Sequence, residues 1–80
     1  MKLTYRLSQI SRVLRMFPTT AAGYLASKGV FPYESGKVKP QHFFDAVKIA
    51  NALGITVEEL EREYLAVVAE RKAKQNKFNN

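Results

Sequence analysis

The segment Leu3–Gly29, LTYRLSQISRVLRMFPTTAAGYLASKG, decides the fold class. Leu3, Leu7, Ile10, Leu14 and Phe17 are spaced by four, three, four and three residues, which places five apolar side chains on one stripe of an amphipathic helix. Arg12 and Arg15 lie three apart and are neighbours on a different face of that helix. Pro18 ends it, because a residue that precedes proline is pushed out of the helical region. Leu3–Arg6 also reads as a separate lead-in, with Ser8 capping the helix proper. A second short helix follows at once: Thr19 or Thr20 supplies its cap, Ala21–Lys28 its body, and Gly29 its stop. Two short helices joined by about three residues are the outline of a helix-turn-helix.

From Gly29 to Pro40 the chain carries two glycines and two prolines, the composition of a loop with at most one helical turn at Phe31–Glu34. Val30, Phe31 and Tyr33 are apolar enough to pack down onto the protein. Pro40 suits the first turn of a third helix through Leu53, stopped by Gly54, with Phe43 or Phe44, Val47, Ala50 and Leu53 facing inward. Thr56 and Glu59 then fit a capping box, and Ile55 with Leu60 fits the accompanying hydrophobic staple. The helix they start is expected to reach about Lys74 and to turn Leu60, Tyr64, Val67 and Val68 inward. Gln75–Asn80 is polar and reads as a flexible, frayed tail, leaving one domain over 1–74. No segment alternates as a half-buried strand does, and no repeat of solenoid length fits, so an all-α bundle of four to five helices is expected.

At 80 residues there is room for one modest core. The chain has no cysteine, so neither a disulfide framework nor a thiolate metal site can support that core. Nothing resembles a signal-peptide core or a membrane span, and a cytoplasmic location away from membranes is expected. The net charge of +6 is unevenly distributed: residues 1–40 hold seven cations against Glu34 alone, whereas residues 41–80 hold six of each sign. A one-sided positive field suits a polyphosphate partner, because every neutralised phosphate releases condensed counterions.

Glu34-Ser35-Gly36-Lys37-Val38-Lys39-Pro40, followed by Val47-Lys48-Ile49-Ala50-Asn51-Ala52-Leu53-Gly54 and the Thr56-to-Leu60 helix start, resembles the second half of the Cro/C1-type (Xre-like) helix-turn-helix family. Leu7-Ser8-Gln9 resembles the opening of that family's first motif helix. The resemblance implies a lambda-repressor-like bundle that binds double-stranded DNA. Between the two matching stretches the chain departs from the family: the interval from Leu7 to Glu34 is longer, and Gly29 and Pro32 fall where a recognition helix would end.

Two registers accommodate that departure. In one, Ser8–Met16 is the positioning helix, Thr20–Lys28 the recognition helix and Gly29–Lys39 an enlarged loop. In the other, Leu3–Phe17 leads, Thr20–Lys28 positions, and Phe31–Glu34 is a recognition stub. The first gives a recognition helix of usable length and is preferred. It puts Thr19 and Thr20 at the end that meets base edges, with Tyr24 and Ser27 further along and Lys28 at the far end. Arg12 and Arg15 suit phosphate or guanine, and Lys37 and Lys39 suit the DNA backbone, where the family commonly touches it. Each position also has a plainer reading: capping for the threonines, core packing for Tyr24, and a solvated surface for the cations.

Catalysis finds no support in the sequence. Gly36-Lys37 lacks the upstream glycine of a phosphate-binding P-loop, and with His42 the single histidine and no cysteine, a nitrogen and sulfur metal site cannot be assembled within one chain. Asp45 follows His42 by three residues on the expected helix, with no nucleophile beside them. The expectation is a repressor-like transcription regulator without cofactors, of a size that suits a phage or mobile element, binding as a homodimer. Leu60, Tyr64, Val67 and Val68 are its candidate dimer contacts, or else pack on the first helix of their own chain. The alternative is a protein-binding module, an anti-repressor or an inhibitor of another protein, that kept the scaffold.

Overall fold

Two three-residue strands, β1 (Thr4–Arg6) and β2 (Phe43–Asp45), pair antiparallel in the computed structural model, with Thr4 opposite Asp45, Tyr5 opposite Phe44 and Arg6 opposite Phe43. The structure describes residues 1–78, and side-chain burial through residue 73. Each strand runs directly into a helix. β1 leads to α1 (Leu7–Leu14) and then α2 (Pro18–Ser27); β2 leads to α3 (Ala46–Leu53) and then α4 (Val57–Phe78). No described helix is long and apolar enough to cross a membrane.

The all-α expectation is therefore corrected: the molecule is mostly helical, with a small two-stranded sheet at its centre. Three residues are too few to display an alternating pattern, and the pairing joins segments far apart in sequence. Helix three does not begin at Pro40. Asp45 has extended backbone and its Oδ1 accepts the Val47 N–H at 2.9 Å, which caps the helix there. That start sets the helical phase, so Ala46, Ile49 and Ala50 are buried and Val47, expected inward, is 49% exposed. His42 and Asp45 consequently do not share a helix: His42 Nδ1 accepts the Lys39 N–H at 3.2 Å while Asp45 caps α3.

The same plan occurs twice. Thr4 and Phe43, Leu7 and Ala46, Arg15 and Gly54, and Pro18 and Val57 occupy matching landmarks, each pair 39 residues apart. The hydrogen bonds repeat with the same offset. Met16 N–H donates to Ser11 O as Ile55 N–H donates to Ala50 O, at 2.9 and 3.0 Å, and Ala21 N–H donates to Phe17 O as Leu60 N–H donates to Thr56 O, at 2.8 and 3.0 Å. Across the sheet the exchange is reciprocal: Leu7 N–H donates to His42 O at 2.9 Å, and Ala46 N–H to Leu3 O at 3.0 Å. A local twofold axis thus runs through the buried Tyr5–Phe44 pair, and each helix borrows an acceptor from the other unit for one of its free N-terminal donors.

The core gathers the matching positions of both units, Tyr5 with Phe44, Leu7 with Ala46, Ile10 with Ile49 and Ala21 with Leu60, to which Leu25 and Val30 are added. α4 is clamped to β1. Tyr64 meets Tyr5 edge-on with ring centroids 5.3 Å apart, its hydroxyl accepts from Gln9 Nε2 at 3.0 Å, and the Glu61 carboxylate accepts the Lys2 N–H at 2.9 Å. Lys2 Nζ lies 5.3 and 5.4 Å from the centres of the Tyr5 and Tyr64 rings.

Residues 28–42 contain no helix or strand, so Phe31–Glu34 is not a recognition stub. Val30 packs down as expected, whereas Phe31 and Tyr33 are exposed. The loop instead closes the free edge of β2: Tyr33 N–H donates to Phe43 O, and Glu34 Oε2 accepts the Phe43 N–H, both at 3.0 Å. At the other end of the chain α4 continues past Lys74 to Phe78, since nothing between Val57 and Phe78 is a glycine or proline that would stop it. The expected tail over 75–80 is thus helical as far as 78, and its last two residues lie outside the described ones.

Candidate nucleic-acid interface

α1 and α2 are joined by Arg15, Met16 and Phe17, and the turn is made by an arginine in the left-handed conformation (φ 57°). Arg15 N–H donates to Arg12 O at 3.2 Å, closing the last turn of α1. Both helices bury a small residue, Ser11 on α1 and Ala21 on α2. The Ser11 hydroxyl donates to Ser8 O at 3.0 Å, so it is not left unpaired.

Thr19 and Thr20 do not cap α2. The N-cap is Phe17, Pro18 occupies the first helical position, and no side chain accepts from the free N–H groups of the first turn. Both threonines stand within the first turn, at its second and third positions, and are exposed. α2 buries Ala21 and Leu25 and turns Thr19, Gly23, Ala26 and Ser27 to solvent, a face without a long side chain. A Cβ built on Gly23 would touch nothing within 4 Å, so packing does not require the glycine. A glycine inside a helix costs about 0.5–1 kcal/mol relative to alanine, and this one lies on the open face.

Cations flank that face. Arg12 and Arg15 line an open groove of about 450 Å³ together with Phe17 and Thr20. At the far end Lys28 Nζ lies 5.3 Å from the centre of the Tyr24 ring, and Lys28 shares a second groove with Lys48. Tyr24 is half-buried beside the core, so packing accounts for its ring, and the Ser27 hydroxyl turns back to donate to Tyr24 O at 2.6 Å. Lys37 and Lys39 are exposed on the loop. Lys2 precedes β1 and Arg6 ends it, with the Arg6 guanidinium 5.1 Å from the Phe43 ring centre.

The Arg15 guanidinium approaches Glu70 of α4 at 3.7 Å, an exposed ion pair of small energetic weight. Arg71 lines a separate groove with Arg12, Arg15, Val67 and Glu70, a neighbour that the sequence pattern did not single out. Nor did it single out Gly23 or the exposure of Phe17, which had been placed on the inward stripe and is 81% exposed. An aromatic residue directly before Pro18, where a capping Ser, Thr or Asp is usual, was the available signal.

The four candidate dimer contacts divide. Leu60 is fully buried and Tyr64 is held by Tyr5 and Gln9, so both serve the core of their own chain. Val67 and Val68 are half-buried, and every residue from Ala69 to Ala73 is exposed, which marks where α4 leaves the body. Among the described residues no group of histidine, cysteine or carboxylate side chains could hold a metal ion. No family model, curated protein or solved structure matches the chain.

Proposed function

We propose that the protein is a sequence-specific DNA-binding regulator in which α1 and α2 form a helix-turn-helix and α2 enters the major groove. The observation that carries this reading is the open face of α2. It is free of large side chains, has an unforced glycine at its middle, and is bracketed by Arg12 and Arg15 at one end and Lys28 at the other. A short-chained helix face lets the backbone approach base edges while guanidinium and ammonium groups take the phosphates on either side. The register that makes Thr20–Lys28 the recognition helix is the one these elements favour.

Arg15 adds support. A non-glycine residue in the left-handed region is strained by about 1–2 kcal/mol, yet at this turn the arginine side chain is 74% exposed, and its ion pair among the described residues is a long one to Glu70. Fold stability is better served by glycine, so the guanidinium is explained by a partner. The end of α4 that leaves the body, with the exposed Leu65 preceding it, supports assembly as a homodimer that doubles the site length read.

Selection of bound duplexes from a random library, followed by titration at several salt concentrations, tests this function. The expected result is a preferred sequence and a steep salt slope that falls by about 0.9 for each arginine removed in R12A and R15A. Weak binding without preference, or a slope unchanged by either variant, would favour a protein partner for the same face.

A further inference from the structure

Phe17 is the most exposed of the large apolar residues described, at 81%, and it occupies the cap of α2. Its counterpart in the second unit is Thr56, whose hydroxyl accepts the Glu59 N–H at 3.1 Å and donates to the Glu59 carboxylate at 3.2 Å. The first unit thus forgoes a cap and displays a phenyl ring in water, two unfavourable choices at one position. The ring is not isolated: Arg12, Arg15 and Thr20 line the same open groove. A ring with guanidinium groups on its flank suits a partner that is anionic outside and apolar at one point within reach.

We infer that Phe17 is a specificity-determining residue that packs against the 5-methyl group of a thymine on the floor of the major groove. The inference rests on the reading of α2 as the groove-entering helix, because the first residues of such a helix are those that meet base edges. Among the major-groove features of the four base pairs, the thymine methyl is the apolar one, and apolar side chains read it by contact. The arginines beside Phe17 supply attraction to phosphate that is indifferent to sequence, and the ring supplies the discrimination they lack.

The test uses the whole chain and the duplex it selects. Each thymine of that duplex is replaced in turn by deoxyuridine, which removes the methyl group alone, and affinities are measured for the unaltered protein and for Phe17→Ala. At one or two positions the exchange is expected to weaken the unaltered protein by about fourfold, the equivalent of about 0.8 kcal/mol for one buried methyl. Phe17→Ala is expected to bind both duplexes equally at those positions. Phe17→Thr, which restores a capping hydroxyl, should melt at a higher temperature and show the same indifference, separating recognition from folding.

If a preferred duplex is found but no deoxyuridine exchange matters, or Phe17→Ala keeps the discrimination, the thymine contact is overturned while the regulator reading stands. If no duplex is preferred at all, both fall together.

Discussion

The two halves of the molecule follow one backbone plan and differ in what they spend it on. β2–α3–α4 ends its first helix at Gly54 in the left-handed conformation and starts its second with the capped Thr56–Glu59 turn. β1–α1–α2 places Arg15 and Phe17 at the same two positions, and Gly23 where the second unit has Arg62. Each of these departures makes the first unit less stable, and all three residues are at the surface around α2. The excess positive charge follows the same division, with the first half of the chain at +6 and the second balanced. When two copies of a plan share a core, the copy that tolerates local strain is the one whose surface is committed to something other than folding.

Exchanging counterpart residues sharpens the comparison. The largest effect is expected in the shared core, where Ile10 and Ile49 are both fully buried. Alanine at either should destabilise by about 2–5 kcal/mol in denaturant unfolding. If Ile10→Ala were tolerated while Ile49→Ala unfolded the protein, the equivalence of the two units would be broken. Next, Thr56→Ala should lose about 1 kcal/mol with its cap, whereas Phe17→Ala, which has no cap to remove, should leave the melting temperature nearly unchanged.

Smaller and opposite in sign is Arg15→Gly, expected to raise stability by about 0.5–1 kcal/mol, the relief of left-handed strain reduced by the greater freedom of glycine when unfolded. The same substitution should lower affinity for duplex DNA and flatten its salt dependence. A stabilised Arg15→Gly that binds DNA unchanged would remove Arg15 from the interface. The smallest effect near neutral pH belongs to Tyr5→Phe, which makes Tyr5 match its counterpart Phe44.

The Tyr5 hydroxyl is buried and no described group hydrogen-bonds to it, so its removal relieves an unpaired polar group and should leave stability unchanged or slightly raised. Desolvation, reinforced by the negative charge of Glu61 and by Tyr64, raises its pKa above 10.0. A phenol held neutral in the fold ionises more readily in the unfolded chain. Stability from this group is therefore present below pH 10 and declines as the pH rises beyond it. Tyr5→Phe should reduce that alkaline loss, and equal losses in both proteins would show that Tyr5 is not its source.

Legibility in the sequence followed the range of the forces. The end of α2 before Gly29, the stop at Gly54 and the Thr56–Glu59 cap are set within four residues of themselves, and each occurs where its residues point, whereas α2 starts at Pro18 without the expected threonine cap. The candidate site was partly legible for the same reason: Arg12, Arg15, Thr19, Thr20, Ser27 and Lys28 are exposed on α1, α2 and their ends. Phe17 was misplaced because the helical stripe was extended one turn too far, past the left-handed turn at Arg15. Leu3 was misplaced at the other end, since β1 leaves it exposed before the helix begins.

By itself, then, the sequence determined a mostly helical chain, the glycine stops after α2 and α3, the Thr56 cap and the one-sided charge, because side-chain caps and glycine stops act on the nearest turn of chain. The tertiary structure alone decided the strands, the twofold relation and the start of α3. Phe43, Phe44 and Asp45 are extended because β1 lies opposite them, a partner 39 residues away whose hydrogen bonds and buried Tyr5 outweigh any local preference for helix.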